Sequence, residues 1–355
     1  MPTPIIDSHV HLWPESAANA DGHAWMGIVT QLAKQHVLSD YRRAAKQESS
    51  SDVKVDGIVY VETDRKYQAD TSKPLEQWAK GPLDEIKFLR SIVEGNASQT
   101  HSELLKGIVA WAPLDQGLQV FEQWLELVKQ TVGDQTWSKI KGFRFLLQAI
   151  TDQTEFEKLV FGQEFLHTLR AFSSGGRDLV FDVGVDAHSG GLWQLEAWAK
   201  VLEQVNGNGK SRTKFVMNHL CKPDLTESHT PAASQSSEFQ QWSQCIQKFA
   251  SHPRVYMKLS GAFSELSNGK VNTTSAEELA SRIKPWTDVV FDAFGSDRIM
   301  FGSDWPVSNI RGPAGEDSWS VWKDVVDVVI RQRQLSDDQQ SRIWAGTAKE
   351  AYSLE

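Results

Sequence analysis

Two histidines near the start of the chain, His9 and His11, are separated by one residue and follow the apolar pair Ile5-Ile6. Residues two positions apart on a β-strand point to the same side, so both imidazoles would face one space. A neutral imidazole is the commonest protein metal ligand, and two on one face make half of a metal site. The alternative is that both rings merely face solvent at a strand end.

The other end of the chain carries complementary chemistry. An apolar run over 298–302 leads into Asp304. A carboxylate can bind a divalent ion or accept a proton from water. Two strand ends that lie almost a whole chain apart would meet if the strands formed a closed barrel. That possibility favours a functional role for His9, His11 and Asp304 together.

Composition excludes several classes of protein. The 355 residues are 40% hydrophobic and 23% charged, with a formal charge of −9 and no basic cluster, which argues against nucleic acid or an anionic membrane as a partner. Cys221 and Cys245 are too few for a disulfide framework and indicate a reducing compartment. No signal peptide or transmembrane stretch is visible. We expect a cytoplasmic globular enzyme.

Eight short apolar runs alternate with helical patterns along the chain. The runs cover residues 5–12, 55–63, 107–112, 140–146, 179–185, 214–219, 255–261 and 298–302. Continuous apolar strands indicate burial on both faces and hence a parallel sheet. A doubly wound sheet would alternate in the same way, but the first turn lacks its Gly-rich phosphate-binding pattern. The sequence therefore predicts an α/β fold, a (β/α)8 TIM barrel in one domain over residues 1–355.

Three details of this pattern can be checked. Residues 156–172 read as one helix, and residues 276–294 read as a helix that Pro285 should break or kink. The Ser- and Thr-rich stretch 226–237 reads as a surface insertion.

In such barrels the active site lies where the strands end. Polar residues occupy most of those positions: His9, His11, Glu62, Asp115, Arg144, His188, His219, Lys258 and Asp304. Structural alternatives exist for four of them. Arg144 and Glu62 could form a barrel salt bridge, Lys258 could reach the surface, and His188 could cap a helix or lie exposed. Trp13, Trp111 and Trp305 flank strand ends, where an aromatic face would suit a sugar ring.

The chain resembles the amidohydrolase superfamily, in the branch that contains sugar lactonases and pyrone-dicarboxylate lactonase. The matching motifs are IIDSHVHLW, KGFRFLLQ, FVMNHLCKP, VYMKLSG and FGSDWPV, which follow the family's order over nearly the whole chain. VYVETDR and GIVAWAPLD resemble the fungal rhamnono-lactonase type in particular. The resemblance implies a hydrolase that opens a sugar-acid lactone, such as L-rhamnono-1,4-lactone, to the free aldonate.

The resemblance also implies roles for residues. It makes His219 and Asp304 catalytic, with Asp304 handling the proton. It predicts one divalent ion, zinc before manganese, on His9, His11 and Asp304, completed by His188, His219 or Glu62. Catalysis without metal stays open. The residues expected to bind substrate are Arg144, His188, Lys222, Lys258, Glu62 and Trp305.

One departure from the family pattern concerns the metal count. Phe145 and Leu146 follow Arg144, so no lysine suited to carbamylation ends the fourth strand, and a bridged two-metal centre is not expected. Two other functions remain open: an amidohydrolase-type decarboxylase of a small unsaturated carboxylic acid, and a non-catalytic ligand-binding barrel. The expected partner is a small-molecule lactone, and the resemblance leaves a homodimer open.

Overall fold

The computed structural model of the chain describes residues 4–46, 54–95, 101–174, 176–207, 212–226, 228, 232–266 and 275–355. Its centre is one sheet of eight parallel strands in chain order. The strands are β1 Pro4–Val10, β2 Lys54–Val61, β3 Leu105–Trp111, β4 Ile140–Arg144, β5 Val180–Val183, β6 Lys214–Met217, β7 Val255–Leu259 and β8 Ile299–Phe301.

The sheet curls until β8 meets β1. A parallel bridge joins Val10 to Trp305. The backbone N–H of His11 donates to the Trp305 carbonyl at 2.9 Å, and that of Asp304 donates to the His9 carbonyl at 3.0 Å. The predicted (β/α)8 barrel is confirmed. Each predicted run contains a strand whose ends differ from the prediction by at most two residues.

Helices follow the strands and pack around the barrel, as expected for apolar strands buried on both faces. They are α1 Leu38–Ala44, α2 Leu75–Trp78, α3 Lys80–Val93, α4 Leu118–Lys139, α5 Gln153–Val160, α6 Gln163–Ala171, α7 Leu192–Asn206, α8 Ser237–Ala250, α9 Ala262–Glu265, α10 Ala276–Phe294, α11 Ser318–Gln332, α12 Asp337–Ser341 and α13 Thr347–Ala351. A π-helical turn, Arg342–Gly346, joins the last two.

One predicted helix is confirmed and another is divided. α10 has the predicted bounds, 276–294, and continues through Pro285, so of the predicted break or kink the break does not occur. Its buried face, which includes Trp286 and Val290, packs on the barrel and outweighs the cost of a proline inside a helix. Conversely, the helix expected over 156–172 is divided between α5 and α6, because the chain becomes extended at Gly162 (φ −63°, ψ 135°). Part of the expected insertion, residues 227 and 229–231, lies outside the described residues.

The C-terminal segment covers the end of the barrel at which the strands begin. Ala348 and Tyr352 pack with barrel residues such as Val109 and Val216. The Tyr352 hydroxyl donates to Asp182 Oδ1 inside the barrel at 2.7 Å. Polar side chains at the strand ends therefore face the opposite opening. Within the described ranges, no helix has both the length and the apolar character needed to span a bilayer.

Candidate active site

Four side chains converge where the strands end. His9 lies on β1 and His11 directly after it, His219 follows β6, and Asp304 follows β8. The Nε2 atoms of His9, His11 and His219 lie 3.7, 3.5 and 3.7 Å from Asp304 Oδ1. The Nε2 atoms of His9 and His11 are 3.1 Å apart. Three imidazole nitrogens therefore surround one carboxylate oxygen.

Two of these side chains, those of Asp304 and His219, belong to residues with unusual backbone conformations. Asp304 has φ +59°, and the four residues from His219 to Lys222 all have φ between +48° and +59°. Such conformations cost non-glycine residues roughly 1–3 kcal/mol each and persist where the surroundings enforce them. Here the Asn218 N–H donates to Val183 O at 3.0 Å, and the Trp242 indole donates to Leu220 O at 2.9 Å. The loop after β6 is thereby held at both sides of His219.

The pKa values within the cluster distinguish the Asp304 carboxylate from the imidazoles of His9 and His219. Burial lowers the pKa of His219 to about 3. Burial, followed by the charge of Lys258, also lowers the pKa of His9 well below its usual value. Burial acts to raise the pKa of Asp304, but the imidazoles of His219 and His11 outweigh it, so that the pKa lies below its usual value. At neutral pH the arrangement is an ionised carboxylate beside two uncharged imidazoles, those of His9 and His219.

A cavity of about 410 Å³ opens over this cluster, with His11, His219 and Asp304 in its surface. Part of its lining is apolar and forms one packed group, here called the apolar lining: Trp13, Trp25, Val29, Leu32, Val307 and Ile310. The charged residues of the lining include Asp64, Arg144, Asp186, Lys222 and Glu265. A ligand in this cavity would meet an apolar surface as well as a set of polar groups.

The Arg144 guanidinium is held by Glu62. Its Nε donates to Glu62 Oε1 at 2.5 Å and its Nη2 to the Glu62 carbonyl at 2.6 Å. Burial acts to lower the pKa of Arg144, and Glu62 outweighs it, so the pKa is raised. The barrel salt bridge considered for this pair is confirmed. The second Glu62 oxygen accepts the backbone N–H of Asp64 at 2.6 Å, so both oxygens face protein donors and neither faces the histidines.

Two lysines expected to bind substrate are also paired. Lys222 Nζ lies 2.8 Å from Asp186 Oδ2 and 3.3 Å from Glu265 Oε1, and it lines the cavity. Lys258 does not reach the surface as considered above, because its side chain is completely buried. Its Nζ lies between Asp182 and His9 Nδ1, at 3.1 Å from the latter. Burial lowers the pKa of Lys258.

The structure places two other candidates apart from the cluster. His188 Nδ1 lies 2.8 Å from Glu265 Oε2, and its Nε2 lies 3.6 Å from Asp224. The hydrogen bond with Glu265 raises the pKa of His188. The Trp305 ring packs edge-on against His36 and Tyr41. Among the described residues that line the cavity, neither His188 nor Trp305 is present, whereas Trp13 and Trp25 are.

Sequence reasoning overlooked the acids that hold the cations: Asp182, Asp186 and Glu265. Asp182 had a signal, because a charged residue inside an otherwise apolar buried strand requires a partner. Asp64 was overlooked as well. It lines the cavity, and burial, followed by the charge of Glu62, raises its pKa to about 7.

The donor atoms of the cluster fit a divalent metal ion. His9, His219 and Asp304 each offer one atom, and all three atoms lie within 4.8 Å of one another. His11 Nδ1 lies 2.8 Å from the Val61 carbonyl, which can only accept, so His11 Nε2 presents its lone pair to the cluster. For His9 Nε2 to present a lone pair as well, the ring proton must lie on Nδ1, the atom 3.1 Å from Lys258 Nζ. Within the described residues no lysine or arginine lies within 4 Å of the ionised Asp304 carboxylate, which leaves its charge for a metal ion.

Comparison with known proteins shows which family the chain resembles. The family model described as amidohydrolase matches residues 180–354, which include His219 and Asp304 of the cluster. Over these residues the chain is therefore similar to the amidohydrolases, and the resemblance inferred from the sequence motifs is confirmed.

Two curated relatives match nearly end to end. The chain is 29% identical over 99% of its length to an L-rhamnono-gamma-lactonase from Scheffersomyces stipitis, of which the match covers 98%. It is 25% identical over 98% of its length to an L-fucono-1,5-lactonase from Burkholderia multivorans, of which the match covers 96%. Among solved structures, an amidohydrolase from Burkholderia multivorans with bound zinc shares the fold, with a TM-score of 0.70, 23% identity and 99% of each chain covered.

Proposed function

We propose that this protein is an amidohydrolase-type enzyme that opens a sugar-acid lactone, such as L-rhamnono-1,4-lactone, to the free aldonate by hydrolysis. The observation that carries the proposal is the cluster itself. An ionised carboxylate and three imidazoles meet at the surface of a cavity large enough for a sugar. The end-to-end similarity to two proteins named as sugar lactonases supports the same reaction and substrate class.

We further propose one metal ion, zinc, held by His9, His11, His219 and Asp304. Nitrogen-rich ligation with one carboxylate suits zinc, and the structural neighbour with bound zinc agrees with that choice. When bound, such an ion supplies Lewis acidity that polarises a carbonyl and makes water more acidic. Glu62 and His188 are left out of this set, because their side chains are engaged by Arg144 and Glu265.

Asp304 is the proposed proton carrier. Its contacts with the three imidazoles all use Oδ1, and no described residue donates a hydrogen bond to Oδ2. Oδ2 can therefore accept a proton from the attacking water. As the carbonyl carbon gains the water oxygen, its bond to the ring oxygen breaks, and Asp304 returns the proton to that oxygen. The product is a hydroxy acid that ionises at neutral pH.

Substrate orientation follows from the two kinds of lining. Arg144 and Lys222 offer donors to the lactone carbonyl or hydroxyl groups, since each keeps N–H groups beyond those used in its ion pairs. The apolar lining suits the part of the sugar that carries few hydroxyls, such as a terminal methyl group. Both rhamnose and fucose, named in the two relatives, are 6-deoxy sugars with such a methyl group.

The decisive experiment is a panel of aldonolactones assayed with a pH indicator on purified protein of known metal content. We expect proton release well above the spontaneous rate for at least one lactone, loss of that activity after chelation, and its return with zinc. Full activity in metal-free protein would remove the metal from the proposal and leave the lactonase assignment intact. Release of carbon dioxide from a carboxylic acid substrate, with all lactones inert, would replace lactone opening by decarboxylation.

A further inference from the structure

Asp64 presents an unused carboxylate to the cavity. It follows β2 by three residues and has φ +54°, a left-handed conformation that is uncommon for a residue other than glycine. Its side chain lines the same cavity as Arg144 and Asp304. No described residue forms a hydrogen bond or ion pair with its carboxylate.

Glu62 fixes the position of Asp64 and of Arg144 together. One oxygen of this completely buried carboxylate accepts from Arg144 Nε, and the other accepts from the Asp64 backbone N–H. A buried charge that is satisfied on both oxygens is a rigid support, since moving either partner would leave it unpaired. The strand-end residue that the sequence singled out thus positions two neighbours that face the cavity.

The other acids around the cavity have partners. Asp186 and Glu265 share Lys222, and Glu265 also binds His188. Asp304 faces the three imidazoles. Outside the histidine cluster, Asp64 is the acid among the described cavity residues whose carboxylate has neither a cation nor a donor beside it. A half-buried carboxylate without donors is costly, and a ligand that brings hydroxyl groups would repay that desolvation.

We infer that Asp64 is a substrate-binding residue that accepts hydrogen bonds from hydroxyl groups of the lactone ring or its side chain. The inference rests on the proposed function and deepens it, because it assigns recognition of a polyhydroxylated substrate to a residue outside the histidine cluster. Hydrogen bonds of this kind are directional, so Asp64 would also set which lactone face meets the cluster.

The test pairs a change in the protein with a change in the substrate. We would measure kcat and KM for wild type, Asp64→Ala and Asp64→Asn on the best lactone of the panel and on its single-deoxy analogues. For wild type, removing the hydroxyl that Asp64 binds should lower kcat/KM about 10- to 100-fold, and Asp64→Ala should cause a similar loss on the full lactone. Asp64→Asn, which keeps one accepting oxygen, should retain part of the activity.

The two losses should not multiply, because both remove the same interaction. Asp64→Ala should therefore hydrolyse one deoxy analogue almost as well as the full lactone. Asp21→Ala, which removes a carboxylate that is fully exposed, is the matched control and should behave as wild type. If the loss from Asp64→Ala and the loss from the missing hydroxyl multiply on every analogue, the inference about Asp64 is wrong and the proposed function still stands. A wild type that hydrolyses none of the lactones would overturn the proposed function and the inference with it.

Discussion

Gly261→Ala should disable the candidate active site although it replaces none of the polar side chains of the site. Gly261 has φ +66°, and a methyl group there would lie 2.4 Å from His219 Nδ1. Ordinary contact begins at 3.4 Å, so the ring must move by about 1 Å (3.4 − 2.4 Å), which would disrupt its 2.9 Å contact with Ser260 Oγ. A displacement of that size in a catalytic constellation can cost about 100-fold in rate.

The backbone contributes a separate penalty that a second glycine isolates. Gly295 also has φ +66°, but a methyl group there would meet nothing within 4 Å. Its ψ of 170° gives Gly295 a conformation that is almost confined to glycine, so Gly295→Ala should lose roughly 1–3 kcal/mol of stability. It should keep the wild-type kcat/KM. Gly261→Ala should also lose stability, because Gly261 is left-handed with ψ 0°, and in addition about 100-fold in kcat/KM.

Chemical denaturation and lactone assays on the two variants at equal metal occupancy would separate these effects. Normal turnover by folded Gly261→Ala would show that the position of the His219 ring is unimportant, and the cluster would then lose its role in the mechanism. An equal loss of turnover in Gly295→Ala would show instead that general destabilisation causes the defect.

Three further predictions concern single side chains. Asp304→Asn should lower kcat about 100- to 10,000-fold with little change in KM, measured at matched metal content, since it keeps the shape and removes the base; near-normal kcat would exclude Asp304 as the proton carrier. His188 has its pKa raised above 6.5 by Glu265, so its contribution to stability, about 1 kcal/mol, is present below pH 6.5 and fades as pH rises through the folded pKa. His188→Gln should flatten the stability–pH profile in that range, and an unchanged profile would contradict this. Val29→Thr, which puts a hydroxyl into the apolar lining, should reduce the preference for L-rhamnono- over L-mannono-1,4-lactone about 3- to 10-fold; an unchanged kcat/KM ratio would place the substrate methyl group elsewhere.

The fold could be predicted because its strands are buried on both faces. Runs such as 214–219 and 255–261 are mostly apolar without strict alternation, and each contains a strand. Whether a helix breaks or continues was harder to predict. Phe156 and Phe165 are both buried, so the apolar pattern continues across the break at Gly162 and conceals it. Likewise, the tertiary packing that keeps α10 whole around Pro285 has no local signature.

The candidate site was partly predictable for a related reason. Residue type and strand-end position were enough to bring His9, His11, His219 and Asp304 together. The partner of Lys258 was harder to predict, because it lies on a strand that is not adjacent. Lys258 on β7 pairs with Asp182 on β5, and these strands are not neighbours in the sheet. No spacing along the chain encodes that contact.

These pairings bear on the charge of the substrate. The described residues that line the cavity include four acids, Asp64, Asp186, Glu265 and Asp304, against the three cations Arg144, Lys222 and Arg311. Glu62, directly behind Arg144, adds a further negative charge. Together these five acids and three cations make eight charged side chains with an excess of negative charge. A bound divalent ion would bring their total charge close to zero and would not make it positive.

A cavity with that balance offers no excess positive charge to attract a dicarboxylate such as the substrate of a pyrone-dicarboxylate lactonase. It suits a neutral lactone, whose hydroxyl groups can use the paired ions as donors and acceptors without adding charge. Hydrolysis then creates a carboxylate that the same acids repel, including the regenerated Asp304. The charge arrangement thus favours entry of the neutral substrate and departure of the anionic product.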